Sequence, residues 1–117
     1  MNVVTLIGNL ASEVELRELG ERKLATFMLA VDRPGPSGKA DFVRIATWNK
    51  QAEVCNQFLR KGKRVAIDGR LRSRSWEDGE GKRRSAVEVV AASVQFLTPP
   101  ERPAEPSLRE FLVPLLS

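Results

Sequence analysis

Aromatic rings and arginines alternate with apolar residues in two stretches of the chain. In the first stretch, residues 42–48, one parity suits a core and carries Val43, Ile45 and Thr47. The opposite parity carries two large rings and a guanidinium, in the set Phe42, Arg44, Ala46 and Trp48. Side chains of one parity lie on one face of a β-strand, so the rings and the guanidinium would share a face.

The second stretch, residues 65–76, repeats this pattern. One parity holds Val65, Ile67, Gly69 and Leu71, and the other holds Arg70, Arg72, Arg74 and Trp76. Flat rings can stack on nucleobases, and guanidiniums can replace the counterions of phosphates. The two stretches therefore predict a surface that binds single-stranded nucleic acid. Asp68 interrupts the second basic row, and the sequence gives no functional reason for it.

Positive charge is concentrated in the second half of the chain. The 117 residues carry a net charge of +4, yet residues 60–84 alone hold ten basic residues against four acidic ones. The first 41 residues hold five basic residues against six acidic ones. Such a distribution favours a polyanionic partner, with a solvated charged face as the alternative.

Composition excludes several other classes of function. The chain has no histidine and one cysteine, Cys55, so an internal disulfide, a classical zinc site and a histidine-dependent catalytic triad are excluded. A reducing cytoplasm is the expected setting. The start of the chain lacks the pattern of a signal peptide, and no apolar run approaches the roughly 18 residues that span a bilayer, so no membrane contact is expected.

The elements that would position these residues are mostly strands. We predict strands at residues 2–10, 24–31 and 42–48, with a further short strand within 13–19 and a loop at 33–39. Both faces of the first strand are largely apolar, so it should be buried or lie in an interface. Gly8 within it indicates a bend or a close approach of another backbone.

After Trp48 the apolar period becomes helical. We predict a helix over residues 50–61, with Asn49 as its N-cap, Gly62 as its stop and Cys55 as a small buried residue. Strands then follow at 65–76 and 83–97, joined by a hairpin tip at 77–82, and a parity slip at Val89–Val90 predicts a bulge.

This order of elements is typical of an all-β fold, a five-stranded OB-fold Greek-key barrel with one helix between strands 3 and 4. Such barrels bind oligonucleotides on strands 2 and 3 and through the adjoining loops. We assign residues 1–97 to this domain and residues 98–117 to a Pro-rich tail with an apolar end.

The residues also resemble those of a known family. Leu6-Ile7-Gly8-Asn9-Leu10, Leu59-Arg60-Lys61-Gly62, Trp76-Glu77-Asp78 and Glu88-Val89-Val90 are similar, in order and spacing, to motifs of bacterial-type single-stranded DNA-binding proteins (SSB). The resemblance covers residues 2–97. It implies sequence-nonspecific coating and protection of single-stranded DNA during replication, recombination and repair, in the cytoplasm at the nucleoid. It implies no enzymatic activity and no cofactor.

Carried over to this sequence, the resemblance implies particular contacts. The base-stacking aromatics fall on Phe42, Trp48 and Trp76, and the phosphate-contacting residues on Arg17, Arg44, Lys50, Lys61, Arg72 and Arg74. Arg70 has the same strand parity as Arg72 and Arg74, so we add it to the predicted DNA-contacting residues. No catalytic or metal-binding residue is implied. Family members usually form homotetramers through their first strands, and a dimer is the alternative for this chain.

The chain departs from the family in two places. Many members carry an aromatic residue after the second strand, where this chain has Arg33-Pro34-Gly35. The family usually ends in an acidic tip that recruits other proteins, whereas residues 98–117 contain no acidic cluster. Recruitment through the tail is therefore not carried over. The apolar end, residues 108–117, is open to docking on its own barrel, pairing between subunits, disorder or binding of a partner.

Other interpretations of these residues stay open. Trp48, Trp76 and Phe42 could belong to a core, although a core does not alternate with arginines. We assign Phe27, Phe58 and Phe96 to packing. Rival functions are a primosome-like accessory OB protein that bridges DNA and a replication partner, a nuclease on the acidic hairpin of Glu77, Asp78 and Glu80, and a purely structural domain.

Overall fold

The computed structural model describes residues 1–36 and 38–97. The predicted tail, residues 98–117, lies outside the described residues. In the described part, the elements are β1 (Val4–Leu10), β2 (Glu15–Leu19), β3 (Arg22–Asp32), β4 (Ala40–Trp48), α1 (Asn49–Phe58), β5 (Arg64–Glu77) and β6 (Arg83–Phe96). None of this part forms a helix that is long and apolar enough to cross a membrane.

The strands form one sheet in the order β1-β5-β6-β4-β3-β2. Strand β1 also pairs with β3, and this second pairing closes the sheet into a barrel. The β4–β6 pairing is parallel, and the other strand pairs are antiparallel. The helix lies between β4 and β5 in the chain, so the predicted OB-type barrel is confirmed. The short strand expected within residues 13–19 is β2, which makes the sheet six-stranded.

The core lies on the face of the strands that the apolar parity predicted. Ile45 and Thr47 are fully buried, and Val43 packs against the core from its edge. Val65 and Ile67 of β5 and Val89 of β6 belong to the same core cluster as Ile45, together with residues of β1, β3 and α1. The residues of opposite parity are therefore directed away from the core.

Gly8 lies where β1 passes from β5 to β3. It pairs with Val65, and the next residue, Asn9, pairs with both Arg64 and Ala30. A Cβ atom at Gly8 would lie 2.3 Å from the carbonyl oxygen of Ala30. The predicted close approach is confirmed, because no side chain fits between these two backbones.

The helix is shorter than predicted. It ends at Phe58, because Leu59 adopts an extended backbone and packs into the core. Gly62 is therefore not the helix stop; it lies in the following turn, with φ of 94°, and its N–H donates to the carbonyl of Leu10 at 2.8 Å. Asn49 is not the N-cap either. It is the first helical residue, with φ of 58°, and its side-chain oxygen accepts from the backbone N–H of Lys23 at 3.3 Å.

The bulge in β6 lies further along the strand than predicted. Asp68 pairs with Ser93 and Gly69 pairs with Ala91, so Ala92 is the extra residue. A Cβ atom at Gly69 would lie 2.2 Å from the carbonyl oxygen of Val90, so the two strands approach closely next to the bulge. Residues 89–91 are all buried, and for that reason the apolar pattern misplaced the bulge.

Two of the three phenylalanines assigned to packing lie on the surface. Phe27 is buried as predicted, but Phe58 is 55% exposed and Phe96 is 39% exposed. Their ring centroids lie 6.4 Å apart. Phe58 ends the helix and Phe96 ends β6, and at these positions the chain leaves the closed barrel, so the rings contact each other beside the core.

Candidate nucleic-acid interface

Strand pairing brings the predicted contact residues of β2, β3 and β4 to one outer face. Arg17 of β2 pairs with Leu24 of β3, which in turn pairs with Trp48 of β4. Directly paired residues extend from the same face of a sheet. Phe42 has the same parity as Trp48 and pairs with Ala30, so it lies further along this face.

The outer face continues across β6 to β5. The parallel register of Ile45 with Val89 sets Arg44 beside Glu88, and Glu88 pairs with Arg72. Trp76 pairs with Arg84 at the end of the same long ladder. All the strand residues that the sequence predicted for DNA contact therefore share one outer face, namely Arg17, Phe42, Arg44, Trp48, Arg70, Arg72, Arg74 and Trp76.

The two predicted lysines lie away from the strands. Lys50 is exposed in the first turn of α1, two residues after Trp48. Lys61 is exposed in the turn after the helix, where its backbone N–H donates to the carboxylate of Glu13 at 3.2 Å. The strand pairings thus do not bring Lys50 and Lys61 into the row of rings and guanidiniums on the sheet.

The three predicted stacking rings are not part of the core. Phe42 is 65% exposed and Trp76 is 40% exposed, whereas Trp48 is half-buried. Each indole has a guanidinium over its ring, because the Arg22 Cζ atom lies 4.1 Å from the Trp48 ring centroid and the Arg74 Cζ atom lies 4.5 Å from that of Trp76. Cations over indole faces are attracted by the ring quadrupole, and this interaction restricts both partners.

Three of the predicted arginines surround one buried carboxylate, that of Glu88, which is 2% exposed. Nε of Arg44 donates to Oε2 at 3.1 Å, while Nε and Nη2 of Arg72 donate to Oε1 at 3.2 and 2.6 Å. Nε of Arg74 lies 4.0 Å from Oε2, and this buried atom makes no hydrogen bond within residues 1–36 and 38–97. Three positive charges thus face one negative charge, and the cluster keeps a net positive charge.

Charges at the edges of this face are also paired. Arg17 forms an ion pair with Glu15 at 2.8 Å, and both side chains are exposed.

At the hairpin tip, Arg84 donates to Asp78 at 2.8 Å. That bond, with the backbone N–H groups of Lys82 and Glu80, holds the pKa of the Asp78 carboxyl below its ordinary value. The acidic hairpin is therefore internally bonded through Asp78.

Asp68, which interrupts the basic row of β5, bonds to the first strand. Its carboxylate accepts from the hydroxyl of Thr5 at 2.9 Å, next to the β1–β5 ladder. The side chain of Asn2 extends the same ladder, since its amide donates to the carbonyl of Leu71 at 2.9 Å and accepts from the Leu71 N–H at 2.8 Å. Asp68 and Asn2 therefore both bond β1 to β5.

Sequence reasoning missed two residues of this face, Arg22 and Glu88. Arg22 is the first residue of β3, and it reaches Trp48 only because Leu24 pairs with Trp48. Glu88 is a lone acid in the run Val87-Glu88-Val89-Val90-Ala91. An acid inside a buried strand requires a partner, and this signal could have indicated that arginines cover it.

A closed OB-type barrel with exposed rings beside arginines on its outer face defines the class of single-strand nucleic-acid binders. The model of the single-strand binding protein family matches residues 1–97, so the chain belongs to this family and the resemblance seen in the sequence is confirmed.

Curated relatives agree with this assignment. The chain is 44% identical over 102 residues to single-stranded DNA-binding protein 3 of Listeria innocua, an alignment that covers 83% of this chain and 64% of the relative. It is 44% identical over 104 residues to single-stranded DNA-binding protein A of Bacillus subtilis, which covers 85% of this chain and 60% of the relative. The chain thus spans less than two thirds of the length of these relatives.

Proposed function

We propose that this chain binds single-stranded DNA without sequence preference and without enzymatic activity. The observation that carries the proposal is the single outer face on which Phe42, Trp48 and Trp76 lie beside arginines. Family membership and the names of the relatives support it. On this basis the chain coats and protects single strands during replication, recombination and repair, in the cytoplasm at the nucleoid.

Base stacking supplies one part of the binding free energy. Every base has a π-face, so a ring contributes about 1–3 kcal/mol per stacked base whatever the sequence. Phe42 and Trp76 present exposed rings for this purpose, and Trp48 presents the part of its ring that the neighbouring strands leave open. In duplex DNA the bases are already stacked on one another, so we expect much weaker binding to a duplex.

Phosphate neutralisation supplies the other part. Arg70, Arg72 and Arg74 follow one another at alternate positions of β5, and Arg44 lies on the other side of β6. Each guanidinium that contacts a phosphate releases counterions, so the affinity should fall steeply as the salt concentration rises. Lys50, Lys61 and Arg17 would extend the basic path toward the helix and β2.

Titration of a fluorescently labelled oligothymidine, followed by anisotropy, tests the proposal. Trp76→Ala and Trp48→Ala should each weaken binding by about 5-fold to 150-fold, the equivalent of one stacked base. Phe58→Ala is the matched control, because it removes an exposed ring that is not on the outer face. Affinities of both tryptophan variants within twofold of the unaltered protein would contradict the proposal, as would equal binding of a duplex of the same length.

We also propose that the chain assembles with itself through β1, as a homotetramer. In the described residues, residues 4–8 pair with β5 on one side; Val3, just before β1, and Ile7, within it, are exposed. An apolar strand with an unpaired edge is a surface on which a second copy can pair. Native mass spectrometry should give the mass of four chains, and Ile7→Lys should reduce it.

Val87→Lys is the control for the assembly, since it adds the same charge at an exposed apolar position of β6. A mass of two chains would favour the accessory, primosome-like role over the coating role. A mass of one chain for the unaltered protein would contradict self-association altogether. Neither result depends on DNA, so assembly and DNA binding are tested separately.

A further inference from the structure

Glu88 is buried by arginines and not by the core. Its neighbour Val89 belongs to the core cluster, so by strand alternation Glu88 extends from the outer face. There it is only 2% exposed, and Arg44, Arg72 and Arg74 surround its carboxylate. Glu88 is thus buried beneath the arginines that form the basic surface.

A buried carboxylate is unfavourable unless charged donors bind it. Here Arg44 donates to one oxygen and Arg72 donates twice to the other. Charge-assisted bonds of this kind are strong and directional. They hold the two guanidiniums on either side of β6 at a set separation, one on β4 and one on β5.

The arginines keep donors for a ligand while they bind Glu88. A guanidinium has five N–H groups, of which Arg44 uses one and Arg72 uses two on the carboxylate. A free arginine side chain would lose rotamer freedom on binding a phosphate. For Arg44 and Arg72 that freedom is already restricted in the unbound protein.

We infer that Glu88 is a positioning residue for DNA binding, which holds Arg44 and Arg72 in the arrangement that takes successive phosphates of a single strand. This inference rests on the proposed function. Beyond the proposed function, it gives an acidic residue a favourable role in binding an anion. Charge alone would give Glu88 the opposite role, because a carboxylate repels phosphate.

The two roles predict opposite results for Glu88→Gln. This change keeps the shape of the side chain and adds one unit of positive charge to the surface. If Glu88 acts only through its charge, the variant binds oligothymidine more tightly and its affinity depends more steeply on salt. If Glu88 positions the arginines, the variant binds about tenfold more weakly, the equivalent of one charged hydrogen bond.

The experiment measures oligothymidine affinity over a series of salt concentrations for the unaltered chain, Glu88→Gln and Glu77→Gln. Glu77→Gln makes the same change of charge at an exposed position at the end of β5, so it should bind as tightly as the unaltered chain or more tightly. Glu88→Asp keeps the charge but shortens the side chain, and intermediate weakening is expected. Affinity of Glu88→Gln equal to or above that of the unaltered chain would overturn the inference.

A coupling measurement excludes a merely structural role. Arg72→Ala should cost much less affinity in the Glu88→Gln or Glu88→Asp background than in the unaltered chain, because Arg72 is already displaced there. Equal losses in both backgrounds would overturn the inference, even if Glu88→Gln were less stable. If the unaltered chain fails to bind oligothymidine, the proposed function itself is wrong, and this result is distinct from a failure of the Glu88 variants alone.

Discussion

The guanidinium of Arg22 lies over the indole of Trp48, with its Cζ atom 4.1 Å from the ring centroid. Arg22 pairs with Leu19 at the turn between β2 and β3, and Leu24, two residues on, pairs with Trp48. One face of the indole is thus covered by a cation of the same chain. We expect a base that stacks on Trp48 to use the face of the indole that Arg22 does not cover.

Arg22→Ala should weaken the binding of oligothymidine by about two- to fivefold. The reason is that a cation–π contact at an exposed site contributes about 0.5–1 kcal/mol, which here restrains the Trp48 ring. The measurement is a fluorescence titration in a Trp76→Phe background, where Trp48 is the remaining tryptophan of the two in the chain. Arg22→Lys keeps the charge and should lose less. Tighter binding by Arg22→Ala would instead show that the guanidinium competes with the base.

Gly8→Ala should destabilise the barrel. The added Cβ atom would lie 2.3 Å from the carbonyl oxygen of Ala30, and a backbone cannot move aside as a flexible side chain can. We expect a loss of about 1–3 kcal/mol or more in the free energy of unfolding, measured by urea denaturation. Gly79→Ala is the control, since no atom of the described residues lies within 4 Å of its added Cβ, and a change within about 0.5 kcal/mol is expected. Equal stability of the two variants would contradict the close approach at Gly8.

Asp78→Asn should destabilise the protein at neutral pH but not in acid. The pKa of Asp78 is held below its ordinary value by Arg84 and by backbone N–H groups, so the ionised carboxylate stabilises the folded state. That stabilisation is fully present above the ordinary pKa and is lost as the pH falls through the lowered one. Urea denaturation of both proteins at neutral pH and at about pH 2 should show a difference at neutral pH that disappears in acid.

Glu80→Gln is the control for Asp78→Asn, because it removes a charge from the same turn and leaves the Asp78–Arg84 pair in place. A difference between unaltered protein and Asp78→Asn that persists unchanged in acid would mean that the carboxylate charge is not its cause.

Cys55 should resist thiol reagents as long as the protein is folded. The side chain is fully buried, and burial raises the pKa of the thiol to about 11. Because the thiolate is the reactive form, both access and ionisation are suppressed. A colorimetric disulfide reagent should label the protein in denaturant. It should label the folded protein only as fast as the fold opens and exposes Cys55. Rapid and complete labelling under native conditions would contradict the burial of Cys55.

Features that depend on local alternation could be predicted from the sequence. Ile45 and Thr47 lie in the core and Phe42 lies on the surface as expected, because a strand directs alternate side chains to opposite faces whatever its neighbours are. The close approach at Gly8 was predictable for a similar reason, since a glycine inside an apolar strand often marks a point where another backbone passes close by.

Features that depend on contacts distant in sequence could not be predicted in this way. The helix ends before Leu59 because Leu59 packs into the core with an extended backbone, whereas helix-stop signals indicated Gly62. The Glu88 cluster requires β4, β5 and β6 to lie side by side in one register, and no local pattern of the sequence gives that register. The exposure of Phe58 likewise follows from where the barrel closes.

Intrinsic tryptophan fluorescence during titration with oligothymidine tests the central claim most directly. The two tryptophans of the chain, Trp48 and Trp76, both lie on the outer face that we propose for base stacking. Stacked bases should quench their emission to a saturable limit at low salt, and added salt should reverse the quenching. An emission spectrum that stays unchanged over the whole titration, while the protein remains folded, would contradict the account.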